Sequence, residues 1–147
     1  MNTMSSVWGS DAERAVQTLM RRLIDVRNGF EKMVAEARED FEPIAREFRD
    51  LHDKHVAELR SALKEEGFDA DENGSFMSQV NEAVVAARAY FSEIDDDVMA
   101  QVRSGEQHVI NAFDDAVRKV ESSGLTEKLE QMREELKDTI ARTRHLG

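Results

Sequence analysis

The sequence predicts an all-α protein: an antiparallel four-helix bundle with a long crossover connection that contains an extra helix. Three observations point there. Seven glycines and one proline in 147 residues leave a chain rich in Ala, Glu, Arg and Leu, which favour helix. Four separate runs of apolar residues repeat with gaps of three and four, the spacing of one helical face. The stretch between the second and third runs is far longer than a turn, as a bundle built from two pairs of helices requires.

The first run is Val16, Leu19, Leu23, Val26, Phe30, Met33 and Ala37. Ser10 followed by Glu13 makes a capping box, so this helix is expected from Asp11 to about Glu39. At 1.5 Å per residue it would be roughly 40 Å long, which suits a bundle better than a small globular packing. Pro43 falls in the first turn of a second helix, where a missing N–H costs little. The connection is therefore short, and the first two helices should pair antiparallel. The second run, Phe41, Ile44, Phe48, Leu51, His55, Leu59 and Ala62, stops at Gly67, a left-handed cap.

A polar loop, "GFDADENGS", follows, and Ser75 is placed to cap a crossover helix over about residues 75 to 93. The acidic step "IDDDV" then breaks the pattern, with Asp95 or Asp96 as the next cap. Val98, Val102, Glu106, Val109, Phe113, Ala116 and Val120 form the third run, ending at "SSG". The last run is Leu125, Leu129, Met132, Leu136, Ile140 and Thr143. Residues 11–147 thus read as one bundle domain, and residues 1–10 as a flexible segment whose apolar residues are Met4, Val7 and Trp8.

Charge narrows the partners. Lys+Arg number 20 against 31 Asp+Glu, a net charge of −11 with a pI near 4.8, so nucleic acid and acidic lipid would be repelled over most of the surface. No cysteine is present, which removes disulfides, thiolate metal sites and cysteine nucleophiles. No basic start leads into an apolar run, and no stretch approaches the ~18 apolar residues of a membrane span. A cytoplasmic protein is expected, without nucleic-acid or membrane partners. Val84, Tyr90 and Phe91 of the crossover helix offer surface for a homo-oligomer, with a dimer favoured.

The chain resembles the bacterial ferritin-like bundles known as domain of unknown function family 2383. The resemblance is carried by "LIDVRNGFEKM", "HVAELRSALKEEGFD", the "GS" of the loop and "RSGEQHVINAFDDAV", in that order. "NG" stands where the family usually has Asp-Gly, and Gly105-Glu106 matches its most recognisable dipeptide. The resemblance implies a fold and no established activity. It extends outward to rubrerythrin and ferritin, whose di-iron sites take a Glu from each of two helices and Glu-x-x-His from each of the other two.

Carried onto this chain through "HVAEL", the second-helix ligand turn falls on His52 and His55, with His in place of Glu, and the third-helix glutamate on Glu106. The rest of the set is poor. On the first helix the inward positions are apolar, with Asp25 and Glu31 beside the seam. On the last, Ile140 takes the histidine slot, while Glu135 and Asp138 form Glu-x-x-Asp with Glu135 flanking Leu136. About six inward ligands are needed for two irons, and roughly three can be placed.

Two functional readings follow. The leading one is a non-enzymatic, stress-related bundle of unknown role with no cofactor, in which His52 and His55 bond with Glu106 across a polar gap in the core. The alternative is an iron or manganese oxidase or metal store using His52, His55 and Glu106, helped by Glu31 and Glu135. Asp69, Asp71, Asn73 and Gly74 match the first half of a calcium loop, but Val80 stands where the bidentate glutamate belongs, so the stretch reads as a solvated turn. His108 and His145 read as surface residues. No Ser–His–Asp order, phosphate-cradling glycine loop or aromatic-basic patch anchors a hydrolase, NTPase or nucleic-acid function.

Overall fold

A computed structural model describes residues 10–36, 41–67, 98–120 and 123–143. Among the described residues there are four helices and no strand: α1 (Ser10–Glu36), α2 (Glu42–Glu65), α3 (Val98–Lys119) and α4 (Ser123–Thr143). The fold is all-α, as the four apolar runs require. The expected end of α1 near Glu39, the crossover helix with Val84, Tyr90 and Phe91, the calcium-like loop, the Asp95/Asp96 cap and the N-terminal cluster lie outside the described residues.

Pro43 sits in the first turn of α2, and the amides of Ile44 and Ala45 both donate to the Phe41 carbonyl at 3.0 Å. The helix thus closes its first turn without the N–H that proline lacks. At the other end the Gly67 amide donates to the Lys64 carbonyl at 3.0 Å with φ of 94°, the left-handed stop expected from the sequence. A side chain at that φ would be strained, and glycine, which has none, lets the chain turn sharply there.

α1 packs mainly on α2 and α3, and α4 mainly on α3 and α2, so each helix has two principal neighbours around one core. Val16, Leu19, Leu23, Phe30 and Met33 meet Phe48, Leu59, Leu63, Val109, Phe113, Leu129 and Leu136 there, all fully buried. Burying each such side chain is worth about 1.5–3 kcal/mol, which makes this core the main source of stability. Phe30 and Phe48 stack with ring centroids 5.1 Å apart. Ion pairs run along the seams outside: Arg27–Asp53 and Arg49–Glu31 between α1 and α2, Arg142–Glu47 between α4 and α2, and Arg133–Asp114 between α4 and α3. Being partly exposed, such pairs contribute about 0–1 kcal/mol each.

Candidate metal centre

The core is interrupted by polar side chains at one height of α2. His52 and His55 are both fully buried there, and Glu106 of α3 is buried with them. A spacing of three residues turns a helix by most of one revolution, so both imidazoles leave α2 on neighbouring sides of its inward face. His52 Nε2 donates to Glu106 Oε2 at 2.6 Å, joining α2 to α3. His55 Nε2 donates to Glu135 Oε1 at 2.8 Å, joining α2 to α4.

Aromatic rings wall this polar layer. Phe30 of α1 lies parallel to the His52 imidazole at a centroid distance of 5.8 Å, and Phe113 of α3 meets His55 edge-on at 6.1 Å. Contacts of this kind fix the ring planes and exclude water. Three buried atoms in the layer, His52 Nδ1, His55 Nδ1 and Glu106 Oε1, have no hydrogen-bond partner among the described residues. Each such group costs about 1–3 kcal/mol unless something satisfies it.

The two pairs differ in access. Glu135 is only partly buried, and its second oxygen accepts a 2.9 Å bond from Lys54 Nζ. Glu58, one turn beyond His55, completes a group: one ligand atom from each of His55, Glu58 and Glu135 lies within 4.8 Å of the other two. Burial drives the His55 pKa below its usual value despite the opposing bond with Glu135, which keeps the imidazole in the neutral form a metal needs. Burial pushes Glu135 upward, but the hydrogen bonds from His55 and Lys54 outweigh it and hold the carboxyl below its usual range.

Of the five residues the sequence nominates, four lie in this layer: His52, His55, Glu106 and Glu135. The expected His–Glu bond between helices is made by His52 and Glu106, while His55 bonds to Glu135 instead. Glu31 does not join them; it is exposed and bonded to Arg49 at 3.4 Å. Asp138 is likewise exposed, with Arg142. Glu58 is not among the five, although His-x-x-Glu at 55 and 58 is ligand spacing on one helical face.

Two irons do not fit these residues. α1 meets the layer with Phe30 rather than a carboxylate, and Asp25, the only buried acid of α1 among the described residues, is acted on by Arg22 and Arg21 of its own helix. Among the described residues, two histidines and three glutamates from α2, α3 and α4 fall short of a dinuclear set, and the His52–Glu106 bond already engages two of them with each other. One ion fits the outer group, where imidazole nitrogen and two carboxylates form a donor set suited to zinc, iron or manganese.

A family model described as Domain of unknown function (DUF2383) matches residues 11–119, from the first turn of α1 to the end of α3. No curated protein and no solved structure matches the chain.

Proposed function

The chain belongs to the family described as Domain of unknown function (DUF2383), and from that premise we propose a ferritin-like, non-enzymatic bundle that binds one divalent transition-metal ion. His55, Glu58 and Glu135 hold the ion, and the His52–Glu106 pair braces the turn of α2 that carries them. The observation behind this reading is the convergence of one buried imidazole and two partly exposed carboxylates from α2 and α4 within a single ligand-sized volume.

The direction of the side-chain pairings supports a ferritin-like threading. Arg27–Asp53 and Glu31–Arg49 climb α1 while descending α2, and Glu47–Arg142 and His55–Glu135 do the same for α2 and α4. His52–Glu106 and His55–Phe113 instead climb α2 and α3 together. A parallel α2 and α3 need a connection that travels the length of the bundle, and residues 68–97 are long enough for one.

Loading the full chain with Zn(II), Fe(II) or Mn(II) tests the proposal. The expected result is one ion per chain and a melting temperature that rises with free metal, since a ligand bound only by the folded state stabilises it by about 2.7 kcal/mol at a hundred times its Kd. A folded His55→Ala, Glu135→Ala double variant should lose both effects. Absence of binding by the wild type, or undiminished binding by that variant, overturns the reading.

A further inference from the structure

Lys54 stands beside the proposed ion position in a way the metal reading by itself does not require. Its ammonium donates to Glu135 Oε2 at 2.9 Å while His55 donates to Oε1 of the same carboxylate at 2.8 Å. Both oxygens of Glu135 are thereby engaged, one by a neutral ring and one by a cation. Glu58, the other carboxylate of the group, also acts on Lys54 through its charge. The lysine side chain is about half exposed, 51 %, and leads from the group out to solvent.

We propose that the Lys54 ammonium is a built-in competitor for the metal, seated on Glu135 until an incoming divalent ion displaces it into solvent. This rests on the reading of His55, Glu58 and Glu135 as the metal ligands. The physics is simple competition for one carboxylate. A divalent ion and an ammonium a few ångströms apart repel, and both cannot bond to the same pair of oxygens. Lysine is suited to such a role because its four-carbon stem lets the charge swing into water at small cost, whereas a planar guanidinium would hold the carboxylate in a bidentate grip. The arrangement sets a threshold: the group stays neutralised at low free metal and opens at higher metal. It also ties loading to the α2–α4 seam, because the bond that metal breaks is one that joins these two helices.

Calorimetric titration of Zn(II) into the full-length wild type, Lys54→Gln, Lys54→Arg and Lys32→Gln chains tests the competitor. Lys32→Gln removes the same charge from an exposed position on α1 and controls for the general acidity of the protein. Lys54→Gln should bind zinc about two- to fivefold more tightly than wild type, the value of one weak, partly screened ion pair. Lys54→Arg should bind no better than wild type, and Lys32→Gln the same as wild type. Equal or weaker binding by Lys54→Gln while the wild type still takes up one zinc overturns the competitor and leaves the metal reading standing. Absence of zinc binding in both wild type and Lys54→Gln overturns the metal reading and the competitor with it.

Discussion

His52 and His55 leave the same helix one turn apart, and both side chains have 0 % exposure, but the glutamates they meet are 1 % and 31 % exposed. That difference separates a brace from a binding position. Glu106 is sealed in the core, and His52 is its only hydrogen-bond partner among the described residues. Glu135 has two donors and a second carboxylate, Glu58, beside it at the edge of the bundle. An acid in the dry interior depends on one bond, whereas an acid at the rim can exchange partners with solvent and ions.

The largest effect that tests this contrast comes from Glu106→Ala. It leaves His52 Nε2 buried without a partner and opens a cavity between α2 and α3, so chemical denaturation should report a loss of about 3 kcal/mol or more. Glu135→Ala at the rim should cost well under half of that, and equal losses would erase the distinction.

Asp25 sharpens the comparison because it is a buried acid whose Oδ1 has no partner among the described residues. Burial pushes its pKa up from 3.8 to about 6, against the opposing charges of Arg22 and Arg21. The folded state therefore binds this proton more tightly than the unfolded chain does. The favourable contribution is complete below the unfolded value near 4 and is lost as pH rises through about 6. Asp25→Asn should remove this dependence and stabilise the protein by about 2 kcal/mol at pH 7 to 8 relative to wild type, with little difference at pH 3. Urea midpoints across that range give the answer, and a variant that is less stable at pH 8 would mean the carboxylate is compensated after all.

The smallest effect is expected of Glu135→Gln. It keeps an acceptor for His55 and removes the charge that attracts Lys54, so the stability of the metal-free protein should fall by about 0.5 kcal/mol and by less in 1 M salt. A larger, salt-independent loss would place Glu135 with Glu106 as a brace.

Much of this architecture is legible from residue spacing. The runs at Val16 to Met33 and Val102 to Val120 mark faces that are buried throughout, and Pro43 and Gly67 mark the ends of α2. His55 stands out because it fills an apolar slot. The pairing across helices is not legible in the sequence. Spacing gives the phase of one helix but not its rotation against another, so it does not decide which of the two histidines meets Glu106. Glu135 flanks the apolar seam of α4 and stays partly exposed, yet its carboxylate meets the buried His55. Asp25 sits beside the seam of α1 on the same reckoning, yet it is buried at 7 % exposure, which the sequence periodicity of α1 does not convey.

Anomalous diffraction at the zinc edge from crystals of the zinc-loaded protein tests the central claim most directly. The account predicts one peak per chain, within bonding distance of His55, Glu58 and Glu135, with Lys54 turned away and the His52–Glu106 bond intact. Two peaks flanked by carboxylates from all four helices, or a single peak between His52 and Glu106, would contradict it.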